Sequence, residues 1–243
     1  MSRRLLSLTL GDPVILVLTA LASGILVYSV VSTTHISLGY AFRTLHEERV
    51  IVGFSDGALK SIFDRKILRD ITGGYGLLGL VTAIAGAYIA GFSRDTGYIS
   101  VANLLGVDRR LYLRAQILYP STLYTAITST TAPITIIALL DPNLLRYWKL
   151  ILATTLLVAT VVTLTLTTAI ILTYTLQNTY RGLIATTATV ILATTIGLNR
   201  TLAEIVTRET MNQTLVALTA TTTIAITAFT ITYKIIETRM PTR

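Results

Sequence analysis

Apolar residues in this chain come in long unbroken runs separated by short polar connections. A helix of roughly 20 residues rising 1.5 Å per residue covers the ~30 Å hydrocarbon thickness of a bilayer. Six stretches approach that length: Val14 to Thr33, Gly73 to Phe92, Ile117 to Leu140, Leu150 to Tyr174, Leu183 to Leu198 and Thr214 to Tyr233. With their flanks the spans are expected at 14–33, 73–92, 115–140, 149–174, 182–199 and 213–234, the fifth being short enough to borrow a turn from its neighbours. The alternation Thr163-Leu164-Thr165-Leu166-Thr167 has the period of a strand. Barrel strands, however, run for only ~10 residues between turns, and these runs are longer. The pattern predicts an all-α integral membrane chain.

Local signals sharpen the first span. Arg3 and Arg4 precede an apolar run containing Ala20-Leu21-Ala22, the outline of a cleavable leader. Asp12-Pro13 interrupts that outline and the apolar character continues to Val31, so an uncleaved span is expected, with residues 1–12 lying on the interface. Asp12 is placed to cap the helix and Pro13 to occupy its first turn, where a missing N–H costs nothing. The later spans are rich in threonine, which admits two readings. The hydroxyls line a polar path, or each bonds the carbonyl one turn back while small side chains let helices pack closely.

Two connections carry helical periodicity. In the loop 34–72, Leu59, Ile62, Phe63, Ile67 and Ile71 define an amphipathic helix that serves as an external gate or as a connector packed on the bundle. Between the second and third spans, Tyr98, Val101, Ala102 and Leu105 recur at i, i+3, i+4 and i+7, one apolar stripe on about two turns. Asp95 and Thr96 offer capping chemistry at its start, Gly106 a stop, and Asp108 a cap for the helix that runs through Arg109 and Arg110 into the third span. So short a helix is marginal in water and must be held by something. The holder is either the bilayer surface, with arginines on phosphates, or a groove on a cytoplasmic partner.

Composition agrees with the pattern. The chain is 52% hydrophobic and only 13% charged, against about a quarter charged in soluble domains, and its mean hydropathy is +0.68. The net charge of +8 sits in the connections, where topology explains it better than nucleic acid, so no nucleic-acid partner is expected. With the N-terminus inside, the 20 Lys and Arg divide evenly between the two sides. Those in the loop 34–72 are nearly cancelled by Glu47, Glu48, Asp56, Asp64 and Asp70, leaving only Arg146, Lys149, Arg200 and Arg208 in the short outer connections. Both termini are therefore expected on the cytoplasmic side of a cell membrane.

Several chemistries are excluded by the residues present. The six apolar spans contain no Asp, Glu, Lys, Arg or His, so an ion-coupled pump has no intramembrane ligand or relay. Energy for any transport would have to come from outside the bilayer. Cysteine is absent, no His-Glu-x-x-His pattern occurs, and His35 and His46 match no ligand spacing, so neither a catalytic nor a metal site is expected. There is no phosphate-binding Gly-x-x-x-x-Gly-Lys-Ser/Thr loop. A scaffold or anchor in a larger complex remains the alternative to a transporter.

The order of residues at 93–116 resembles the cytoplasmic signature of the ABC-2 type permeases, membrane subunits of ATP-binding-cassette transporters. Asp95-Thr96-Gly97 stands at its acidic, glycine-containing start, Ile99 to Leu105 in its leucine-rich turns, and Gly106-Val107-Asp108-Arg109-Arg110 in its closing turn. Gly106 replaces the usual proline, Tyr98 a common threonine, and Gln116 a frequent lysine, with Arg114 two residues earlier. The resemblance implies six transmembrane helices, with 95–106 as a cytoplasmic coupling helix between the second and third. It implies a dimer with a second permease half, a copy or a paralogue, and separate ATPase subunits that bind ATP and magnesium, this chain binding no cofactor and hydrolysing nothing. Asp95, Gly97 and Gly106 would shape the element, Tyr98, Val101, Ala102 and Leu105 would seat it, and Arg109 and Arg110 would form its polar rim. Export of an unspecified substrate is the family habit.

Overall fold

The computed structural model describes residues 12–47, 68–69, 72, 75–95, 108–139, 144–196, 204–205 and 210–239. Seven α-helices and one π-helical turn make up its main elements: α1 (Pro13–Glu47), α2 (Tyr75–Asp95), α3 (Arg109–Leu113), the π turn (Arg114–Leu118), α4 (Tyr119–Leu139), α5 (Leu144–Leu176), α6 (Thr179–Ile196) and α7 (Met211–Arg239). Four helical stretches are long and apolar enough to cross a membrane: Pro13–Ser32, Arg110–Leu139, Trp148–Leu176 and Met211–Thr238. The chain is therefore a multi-pass, all-helical membrane protein among its described residues. The second and fifth expected spans fall on α2 and α6. The described apolar stretch of α2 covers only Gly76–Gly91, and α6 is 18 residues long and opens on Thr179, Tyr180 and Arg181.

α1 continues well past the expected boundary at Thr33, to Glu47. At 35 residues it is about 52 Å long, far more than the ~30 Å hydrocarbon core. Hydropathy marks where lipid ends, whereas a helix ends only where a cap or breaker stops it. The amphipathic pattern from Leu59 to Ile71 lies outside the described residues apart from Leu68 and Arg69, of which Leu68 is fully buried.

α5 is the central helix. It packs along α2, α4, α6 and α7, while α1 packs against α4 and α2, and α6 against α2. Its buried face runs through Leu150, Ala153, Leu157, Val158, Val161, Val162, Leu166, Ala169 and Ile170. Lipid tails are as apolar as leucine, so burial alone does not hold such a bundle. Close backbone approach and hydroxyl pairs must contribute. Gly86 on α2 lies so near α5 that an added Cβ would come within 2.6 Å of the Ala169 Cβ. Between α5 and α6 the reason is local: Gln177, in the left-handed region at φ 53°, ends α5. Asn178 Oδ1 then accepts the Arg181 N–H at 3.1 Å and starts α6. A turn this short presses the two helices together where Gly182 meets Thr173.

Threonine follows the second of its two readings. Thr128, Thr167, Thr186 and Thr227 each donate to the carbonyl four residues back, at 2.6–2.8 Å. Other hydroxyls pin helices to each other: Ser23 to Thr131 at 3.1 Å, Thr82 to Tyr124 at 3.1 Å, and Thr160 to Thr222 at 2.8 Å. Tyr124 and Thr82 are both fully buried. Tyr124→Phe strands the Thr82 hydroxyl and is expected to cost roughly 0.6–1.7 kcal/mol. The midpoint of SDS-induced unfolding measures that loss, and an unchanged midpoint would mean that the pair contributes nothing.

Candidate coupling end of the bundle

Three contacts define one end of the bundle. The Tyr88 hydroxyl donates to the Asp12 carboxylate at 3.0 Å, joining the start of α1 to the last turns of α2. Gly91 on α2 lies against Thr179 at the start of α6. Arg110 at the start of α3 stands 3.6 Å from Glu237 near the end of α7. The beginning of α1, the end of α2, the start of α3, the α5–α6 turn and the end of α7 thus share one end. At the other, Lys149 donates to Asn212 Oδ1 at 2.9 Å, bringing together the starts of α5 and α7.

Local chemistry explains how these ends form. Asp12 Oδ1 accepts the Val14 N–H at 3.0 Å ahead of Pro13, and Asp108 Oδ1 accepts the Arg110 N–H at 3.0 Å, so both carboxylates cap where the sequence places them. The start of α7 carries a reciprocal capping box that the sequence also spells, Thr210 to Gln213. The Thr210 N–H donates to Gln213 Oε1 and the Gln213 N–H to Thr210 Oγ1, both at 3.3 Å.

The residues expected to form the coupling element divide in two. Asp95 is the last residue of α2 and Arg109 the first of α3. Gly97, Tyr98, Val101, Ala102, Leu105 and Gly106 lie outside the described residues. Arg110 is 74% exposed and reaches Glu237. An ion pair so open to solvent adds at most about 1 kcal/mol, and its interest is positional. Its partner escaped the sequence reading, although a carboxylate in the last turn of the final helix, three residues after Lys234, was a visible signal. The side chains of His35, His46 and Glu47 lie outside the described set, and among the described residues no group of three or more His, Cys, Asp or Glu gathers.

Just inside this end the stretch Arg110–Leu139 changes register. Arg114–Leu118 forms a π turn in which the Tyr119 N–H reaches back to the Arg114 carbonyl, five residues before it. The cause follows immediately: Pro120 has no N–H to offer the Gln116 carbonyl, and its ring crowds that carbonyl unless the turn widens. A second buried proline, Pro133, interrupts the ladder of α4 further along. The helix entering the membrane from residue 109 therefore has two built-in points of bending.

Among the described residues, Arg110, Arg114, Arg181 and Lys234 face outward at this end, and Arg69, ahead of α2, is exposed as well. Among known proteins, no family model, no curated protein and no solved structure matches this chain. The functional reading therefore rests on residues and geometry.

Proposed function

We propose that this chain is the membrane-spanning permease subunit of an ATP-binding-cassette transporter of the ABC-2 type, with six spans, cytoplasmic termini and residues 95–106 as its coupling helix. One observation carries the reading. The last residue of α2 and the first of α3, between which the permease-like order of residues falls in the sequence, lie at the end of the bundle where the first described helix begins and the last one finishes. An even number of passes would put both termini on that side, and the scarcity of Lys and Arg in the short connections of the opposite side favours its facing the cytoplasm.

In this mechanism the nucleotide is bound and hydrolysed by partner ATPase subunits, and the work enters through Tyr98, Val101, Ala102 and Leu105. Closure of the ATPase pair displaces the coupling segment, and Arg109 and Arg110 pass the displacement into α3. The π turn ahead of Pro120 supplies the bend, and the bundle rocks against a second permease half as a rigid body. A spanning core with no buried Asp, Glu, Lys, Arg or His among the described residues suits such a device, since the driving force arrives mechanically.

The test is purification of the tagged full chain from its native membranes in mild detergent. The expected result is a stoichiometric companion that carries a phosphate-binding loop and hydrolyses ATP. A stable complex with other membrane proteins and no ATPase would establish the scaffold reading instead.

A further inference from the structure

One hydroxyl beside the π turn is buried without a bond. Ser121 is only 2% exposed, and among the described residues its Oγ has no hydrogen-bond partner. A helical hydroxyl in this chain ordinarily donates to a carbonyl three or four residues back, as Thr128, Thr167 and Thr186 do. The residue after Ser121 follows that habit, since Thr122 donates to the Leu118 carbonyl at 2.9 Å and to the Tyr119 carbonyl at 3.0 Å. For Ser121 the carbonyl three residues back is that same Leu118 oxygen, already engaged by Thr122. A buried hydroxyl left bare carries its full desolvation cost, so a partner of some kind is called for.

The backbone next to it is short of a donor. Ser121 follows Pro120, whose missing N–H withholds from the Gln116 carbonyl the bond an α-helix would give it. Gln116 lies in the middle of the π turn Arg114–Leu118, one position beyond the carbonyls that a helical serine reaches directly. One water, rather than a direct bond, closes such a gap. In a membrane helix the carbonyl freed by a proline is met in this way, by a nearby hydroxyl or an ordered water. Supply is at hand: the turn buries Ala115 and Ile117 but begins at exposed Arg114 and ends beside Tyr119, which is 39% exposed.

We propose that the π turn binds an ordered water, which donates to the Gln116 carbonyl and accepts from the Ser121 hydroxyl. Two polar partners are enough to hold a buried water. A water can also trade partners as a helix bends, so the turn keeps its carbonyl satisfied at more than one angle, which suits a bending point. The site stands whether or not the chain is a transporter.

The sign of the change on Ser121→Ala tests it. Deleting a bare buried hydroxyl removes its desolvation cost and raises the thermal unfolding midpoint, whereas deleting one end of a water bridge strands the water and the carbonyl. The midpoint of the full chain in detergent is therefore expected to fall by about 3 °C. Pro120→Ala gives the Gln116 carbonyl an N–H and expels the water, so in that background Ser121→Ala is expected to cost nothing. Thr122→Ala, whose exposed hydroxyl bonds only its own helix, should have the same effect in both backgrounds. A midpoint that rises or stays put on Ser121→Ala, or falls equally with and without Pro120, would overturn the proposal. Should Pro120→Ala fold poorly, an experimental map of the full chain that resolves ordered solvent decides instead. Density bridging Ser121 Oγ and the Gln116 carbonyl is expected, and a dry turn, or a Ser121 hydroxyl bonded to protein, would overturn it.

Discussion

Replacing Gly182 by leucine is expected to prise α6 off α5 and to lower the thermal unfolding midpoint by roughly 10 °C. The expectation follows from geometry. Even a single carbon added at Gly182 would stand 2.6 Å from the Thr173 Cα, a backbone atom that no rotamer change can move. The short turn through Gln177 and Asn178 leaves the helices no freedom to separate at that level. Overpacking costs of about 3 kcal/mol are at the upper end of the usual range, and a chain of this size loses a few degrees per kcal/mol. Gly182→Ala should produce a smaller loss of the same sign. At Gly24, where nothing lies within 4 Å of an added Cβ, alanine should be neutral or slightly stabilising. Fluorescence-detected size exclusion after heating measures all three, and equal midpoints for Gly182→Leu and Gly24→Ala would refute the close contact.

The second large effect is expected at Leu105. On the coupling reading this side chain sits with Tyr98, Val101 and Ala102 on the apolar stripe facing the ATPase. Leu105→Asp would drive a carboxylate into that seat without a partner, at a cost of several kcal/mol. Association with the ATPase should weaken by more than about 100-fold, while the membrane protein remains inserted and monodisperse. Asn103→Asp makes the same change of charge on the opposite face of the helix and should leave association intact. Equal losses for both variants would indicate general electrostatics rather than a seat. No loss for either would remove the coupling role.

Features decided within a few residues were legible in the sequence. The caps at Asp12 and Asp108 were readable because a carboxylate bonds an N–H only two residues away. The capping box of Thr210 and Gln213 was equally local and simply went unread. The self-contained bonding of the threonines followed from helix geometry once the spans were known to be helical. Other features depend on what meets in three dimensions. Nothing near Gly182 announces Thr173, and nothing near Arg110 announces Glu237, 127 residues later. The π turn lies between these cases: Pro120 signals a disturbance, but whether a helix answers by kinking, breaking or widening is settled by the packing around Ala115 and Ile117, both buried.

The central place of α5 has a consequence for biogenesis. Helices leave the ribosome in order, and α1, α2 and α4 are all synthesised before the partner on which α2 and α4 chiefly rest. While residues 144–176 are still unmade, the nascent bundle lacks its axle, and Gly86 faces lipid instead of Ala169. Final assembly must therefore wait until more than two thirds of the chain has been translated, and a truncation before that point would leave the quality-control machinery with inserted helices that have nothing to close around.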